Sequence, residues 1–203
     1  MKKMLLSLAL AAAGLVSTLP AQAAALVFSA TSTHINVGDS VTIEAKITGL
    51  GAQVLSAYDL NFIYSGSVLN WFSISQNLAS FGPDYIGGAA DLTDGNLDFY
   101  ANSLMDDAYL MANQPDEFLL FSFTLNGMMN GSTMFTLGGD PDFERNFVGL
   151  EFQTMDVDVG SICIAVGDGA CAVPEPGSYG LVGLALAGAL VPAWRRRSGR
   201  PAN

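Results

Sequence analysis

Two short runs hold the densest sets of oxygen ligands in this 203-residue chain. In Asp91-Leu92-Thr93-Asp94-Gly95-Asn96-Leu97-Asp98, the side chains of Asp91, Asp94, Asn96 and Asp98 surround a glycine that permits a tight loop. Asp140, Asp142 and Glu144 follow the pair Gly138-Gly139. Calcium takes about six to eight oxygens in a flexible cage, and loops joining strands can supply them. Neither run matches an EF-hand loop, because the glycine is misplaced. Calcium is therefore the candidate cofactor, with the first run the better site and solvated loop acids the alternative for both.

Other chemistry is thinly supported. Acids are so abundant that any pair spaced for glycoside hydrolysis is uninformative. Such enzymes also need a long aromatic cleft, and Trp71 is the only tryptophan outside the tail. His34 is the single histidine, on the alternating run Thr33-His34-Ile35-Asn36, and there is no Gly-x-Ser-x-Gly turn for a nucleophilic serine. The expectation is a non-enzymatic protein. Trp71, Phe72, Tyr85, Tyr100 and Tyr109 are candidates for stacking on sugar rings, although most aromatics of a β-sandwich belong to its core.

The two ends set the surroundings for this chemistry. Lys2-Lys3, an apolar run over 4–16 and Ala21-Gln22-Ala23 form the pattern of a secretory signal peptide, 1–23, cut after Ala23. At the other end, residues 177–194 are 18 positions without a charge. As a helix they rise about 27 Å, just enough for a hydrocarbon core of about 30 Å. Tyr179 and Trp194 sit at the ends of that transmembrane segment, and Arg195, Arg196 and Arg197 belong on its cytoplasmic side. Before it, Pro174 and Pro176 hold the chain extended and present Glu175.

The order Pro174-Glu175-Pro176, apolar helix, Arg195-Arg196-Arg197 resembles the PEP-CTERM sorting signal of Gram-negative bacteria. The resemblance covers 173–203 and implies recognition and cutting by an exosortase-type membrane transpeptidase. It also implies a path from the export machinery, through a transient inner-membrane intermediate, to the envelope, outer surface or extracellular matrix, where exopolysaccharide is the surrounding polymer.

Between these ends lies one domain, 24–172, long enough for a real core. It holds 18 acidic residues against only Lys46 and Arg145, a net charge of −16. Such a surface repels nucleic acid and anionic lipid and attracts divalent cations. Cys163 and Cys171 are the only cysteines. In an oxidising compartment an even pair forms a disulfide most simply, and strands on either side of Gly167-Asp168-Gly169 would set the two residues opposite each other in a hairpin.

Short β-branched and aromatic runs separated by turn residues recur through this domain. In the stretch from Val41 to Ile47, Val41, Ile43, Ala45 and Ile47 should face a core, as should Tyr58, Leu60, Phe62 and Tyr64 later. Further strands are expected at 25–30, 33–36, 68–74, 97–101, 118–125, 134–137, 147–152 and 157–166, with a helical turn within 104–113. Residues 75–91 read as a looser segment. The fold class is all-β, a two-sheet antiparallel sandwich with Greek-key or jelly-roll connections, flanked by the signal helix and the transmembrane helix.

Val37-Gly38-Asp39 followed by a strand, Tyr58-Asp59-Leu60-Asn61-Phe62-Ile63-Tyr64 before Val68-Leu69, and Phe118-Leu119-Leu120-Phe121-Ser122-Phe123 are similar to strands of cohesin-like domains. That resemblance implies a binding module, without the dockerin partner of the cellulosomal members. Adhesion or structure within exopolysaccharide is the expected work, with a dedicated carbohydrate-binding module, a protein partner and a secreted glycoside hydrolase as alternatives.

Overall fold

The computed structural model describes residues 23–139 and 146–172. The strands in chain order are β1 (Ala24–Ala30), β2 (His34–Ile35), β3 (Ser40–Thr48), β4 (Ala57–Ile63), β5 (Leu69–Gln76), β6 (Tyr85–Thr93), β7 (Asn96–Ser103), β8 (Phe118–Gly127), β9 (Gly131–Leu137), β10 (Phe147–Val148), β11 (Val157–Val159) and β12 (Ile162–Val166). One helix, α1 (Asp107–Asn113), and 3-10 turns at Ala79–Phe81 and Leu150–Phe152 complete the described elements. The chain divides into two units, Met1–Ala170, which contains every one of these elements, and Cys171–Asn203. Among the described residues no helix is long and apolar enough to cross a membrane. The expected signal peptide and the transmembrane run at 177–194 lie outside the described residues.

The alternation in sequence becomes two faces of a sheet. Val41, Ile43, Ala45 and Ile47 of β3 are wholly buried while Glu44 is exposed. Tyr58, Leu60 and Phe62 of β4, with Tyr64 beyond it, are buried as expected. The first sheet has strand order β11-β1-β3-β8-β5; the second runs β2-β12-β9-β4-β7-β6, with β10 added against β4. Pairing is antiparallel except for β1 with β11 and β12 with β2, which are parallel. The two inner faces close on a core of phenylalanines: the Phe62 ring lies 4.8 Å from Phe123, 5.0 Å from Phe121 and 5.8 Å from Phe135. Each such pair adds about 0.5–1.5 kcal/mol to the burial of its rings.

Several expected elements change on folding. The single strand expected at 157–166 is two strands, because the chain leaves the first sheet after Val159 and enters the second at Ile162. Residues 147–152 are a strand only as far as Val148, after which the backbone turns. The segment 75–91 is more ordered than its glycines and alanines imply, since β6 zips onto β7 from Tyr85 to Thr93. In β8 the alternation slips at Leu120 and Phe121, which are both buried because a bulge shifts the register on β3 there.

Two further bulges lie on strands at sheet margins. Phe72 is the extra residue in β5, between the pairs Trp71–Leu125 and Ser73–Thr124, and Ala90 is the extra residue in β6.

Candidate functional site

The first acidic run folds as a hairpin tip. Thr93 pairs with Asn96, so Asp94-Gly95 is a two-residue loop, and Gly95 takes φ +98°, a region open to glycine. Asp91 stands opposite Asp98 across the β6–β7 ladder, and Asp98 in turn opposite Asn61 of β4. Tyr64 lies under this tip. Burial raises the pKa of its hydroxyl, the Asp94 carboxylate raises it further, and backbone amides of Gly95 and Trp71 oppose both. Among the described residues no three His, Cys, Asp or Glu side chains form a metal-binding group. Asp140, Asp142 and Glu144 lie outside the described residues, as do Pro174, Glu175, Pro176 and Arg195 to Arg197.

Cys163 and Cys171 are disulfide-bonded. The expected hairpin is not what brings them there: Cys163 pairs in the ladder with Met134 of β9, and 170–172 form no strand. His34 is exposed on the short β2.

The candidate aromatics separate by environment. Trp71 packs partly buried against the core, and Tyr109 is half-buried. Tyr85 and Tyr100 are exposed, and Phe72 more so, at 67%. Exposing a ring of that size forgoes about 1.5–3 kcal/mol of burial.

Phe72 borders the outer face of the first sheet, where three rows are mostly hydroxyls and amides and a fourth is Val27, Lys46 and Leu119, with Val27 exposed. One row across the strands is Ser29, Glu44, Ser122 and Ser75; the next is Thr42, Thr124 and Ser73; a third is Ser40, Asn126 and Asn70. Ser40 Oγ and Asn126 Oδ1 are 2.7 Å apart. Lys46 forms a 2.7 Å ion pair with Glu117. A depression of about 170 Å³ lined by Ser29, Ala30, Thr31, Thr42 and Glu44 opens on this face. The outer face of the second sheet has another character, with exposed Ile63, Ile86, Tyr100 and Met134 around Asp59, Asp91 and Asp98.

A third feature sits in the connections. After β10 the chain forms a closed loop in which the Gly149 amide donates to Gln153 O at 2.8 Å and the Gln153 amide to Leu150 O at 2.9 Å. The buried Ser56 hydroxyl donates to Gly149 O at 2.8 Å, and Asp107 Oδ2 accepts the Glu151 amide at 2.9 Å. Gly149 has no room for a side chain, since a Cβ there would lie 2.8 Å from Met155 Cγ. Within this loop Glu151 and Phe152 both adopt left-handed φ, 52° and 56°. Two consecutive L-residues in that region cost about 1–2 kcal/mol each and persist only where the surroundings hold them. Phe152 is 73% exposed. Its chain neighbours Glu151 and Gln153, with Gln53, Gly149, Leu150, Thr154 and Met155, line a pocket of about 340 Å³ of which Phe152 is not a part.

Phe152 and this pocket were not visible in the sequence. Apolar residues around Phe147 and Phe152 read as a strand, and only Gly149 hinted at a break.

No family model matches this sequence, and no curated protein does. Solved structures do. A cohesin module from a family 33 glycoside hydrolase of Clostridium perfringens is 12% identical, covering 73% of this chain and 98% of its own, with a TM-score of 0.54. A type II cohesin domain from the cellulosome of Acetivibrio cellulolyticus is 15% identical over 70% of this chain and 95% of its own, with a TM-score of 0.57. The cohesin of a type II cohesin–X-dockerin complex from the same organism is 13% identical over 72% and 99%, with a TM-score of 0.55. The likeness is one of fold: the described residues form a cohesin-like β-sandwich.

Proposed function

We propose that this chain is an exported, non-enzymatic adhesion module, sorted to the envelope of a Gram-negative bacterium by its Pro174-Glu175-Pro176 tail and held there by exopolysaccharide. The carrying observation is the outer face of the first sheet. In a domain whose net charge is −16, the rows between β1 and β5 hold one acid, Glu44, and one base, Lys46, already paired to Glu117. Neighbouring strands are about 4.8 Å apart and same-face residues about 6.7 Å apart along a strand, so the Ser, Thr and Asn side chains form a regular array of donors and acceptors. A neutral polyhydroxyl chain suits such a grid, and the Phe72 ring at its border offers a stacking surface.

A second reading is a protein partner on the outer face of the second sheet, where Ile63, Ile86, Tyr100 and Met134 are exposed among carboxylates. Similar cohesins solved together with dockerins support a binding role of this kind.

The test is binding of the exported protein to the producing cell's own exopolysaccharide, in calcium and again in a chelator. Saturable binding in both conditions, weakened at least fivefold by Phe72→Ala, is the expected result. Loss of binding on chelation assigns the contact to calcium at Asp91, Asp94, Asn96 and Asp98 or at Asp140, Asp142 and Glu144. Absence of binding in either condition rejects the polysaccharide reading and favours the protein partner.

A further inference from the structure

We infer that the end of the sandwich where β8 turns into β9 seats against a zwitterionic lipid surface through Val37, Met128 and Met129. The inference rests on the sorting reading above, because it concerns the protein while its tail is held in a bilayer.

These three apolar side chains are each about half exposed. They sit on two neighbouring tips. Val37 belongs to the turn that the Asp39 amide closes on Asn36 O at 3.1 Å, and Met128 and Met129 to the loop between β8 and β9. The Gly38 amide donates to Gly127 O at 2.8 Å, the Gly127 amide to Asp39 O at 2.9 Å and the Met128 amide to Val68 O at 2.8 Å, which locks the two tips together. The backbone is fixed there, whereas the methionine side chains are unbranched and adaptable, suited to a surface that has no fixed shape.

The course of the chain names the occupant. Beyond β12 it passes beside both tips: a Cβ on Gly167 would lie 3.5 Å from Val37 Cγ2 and 2.8 Å from Asn130 Cγ, and one on Gly169 would lie 3.0 Å from Gly131 Cα. From Gly169 to Gly177, where the uncharged run begins, the sequence allows at most about 29 Å of fully extended chain. A tail seated in a bilayer therefore confines this end of the sandwich to the neighbourhood of the headgroups. Such a tether raises the local concentration of lipid so far that a weak apolar contact suffices.

Charge selects the kind of lipid. Asp39 Oδ2 accepts from the Asn36 amide at 3.2 Å and from Asn36 Nδ2 at 2.8 Å, and Asp168 Oδ2 accepts from Asn130 Nδ2 at 3.1 Å. Both carboxylates lie at the tips, while among the described residues the only lysine or arginine is Lys46, toward the other end of β3. Anionic headgroups meet repulsion here, and zwitterionic ones do not.

Met111 supplies an internal control. It is 59% exposed on α1, and the Leu50 amide on Asp116 O at 3.2 Å holds the segment after that helix at the far end of β3.

The experiment places the full-length protein, isotope-labelled at its methionine methyl groups, in phosphatidylcholine nanodiscs carrying a headgroup spin label. Met128 and Met129 signals should broaden about threefold or more beyond that of Met111, by proximity to the label. Val37→Gln, an exposed substitution, should reduce that broadening about twofold with the melting temperature unchanged, and phosphatidylglycerol in place of phosphatidylcholine should reduce it too. Equal broadening of Met111, or broadening indifferent to Val37→Gln, would overturn the seat with the tail still in the disc. Stronger broadening on phosphatidylglycerol would overturn the choice of lipid. Shifts of Met128 and Met129 that follow protein concentration without broadening would assign the patch to a second copy and overturn the lipid contact. Failure of the full chain to stay with the discs would overturn the sorting reading itself, and the seat with it.

Discussion

The side-chain amide of Gln114 and the backbone of Leu55 hold each other by two hydrogen bonds. The Leu55 amide donates to Gln114 Oε1 at 2.7 Å, and Gln114 Nε2 donates back to Leu55 O at 2.9 Å. Nε2 also reaches Ser80 O at 3.0 Å. Gln114 therefore stands in for a strand partner, satisfying backbone groups of a fully buried residue and tying the segment before β4 to the end of α1. Gln114→Ala strands those groups and is expected to destabilise the protein by about 2–3 kcal/mol, read as a lower denaturant midpoint. An unchanged midpoint would mean that water replaces the amide without cost.

Alkaline pH should act through Tyr58. Burial drives its hydroxyl well above the ordinary value of 10.0, with the Gln76 hydrogen bond pulling the other way. Gln76 Nε2 donates to Tyr58 Oη at 2.7 Å. Because the folded state keeps this proton when the unfolded state has lost it, stability is intact below pH 10 and declines as pH rises further, by up to about 1.4 kcal/mol per pH unit for this group. Unfolding curves measured from pH 8 to 12 should show that decline, and Tyr58→Phe should flatten it.

Thiol labelling of the unreduced exported protein should find neither Cys163 nor Cys171 reactive. The bond closes a short loop, so on chain-entropy grounds its removal by Cys171→Ser costs about 2–3 kcal/mol. A variant as stable as the parent would show that the bond contributes nothing through the unfolded chain.

For the tail, protein recovered outside the cell should lack the run 177–194, whereas Glu175→Ala should leave the full-length form in the membrane. Unshortened protein on the wild-type surface would defeat the sorting proposal.

How much of this was legible beforehand depends on the range of the forces involved. The faces of β3 and β4 could be read from Val41 to Ile47 and from Tyr58 to Tyr64, because a strand with one buried side writes its period into local sequence. The slip at Leu120-Phe121 could not, since a bulge exists only relative to a partner strand. The same holds for the division of 157–166 between two sheets. The Asp91–Asp98 run was legible as a tight turn at Gly95 but not as a ladder, because its partners include Asn61, far away in the chain. Phe152 was hidden for a related reason. Its display rests on Ser56 and Asp107, which nothing in the neighbourhood of residue 152 announces.

The margins of the two sheets bear on the setting proposed above, a crowded polymer. Unpaired strand edges invite sticking between copies, and a protein concentrated in a matrix meets its own kind constantly. Here the long margins, β5 and β6, each carry an extra residue that breaks their regularity, while the opposite margins, β11 and β2, are three and two residues long. Neither kind of edge makes a straight template for a neighbour. In the proposed setting among sugar chains, such edges would let copies crowd together without joining strand to strand.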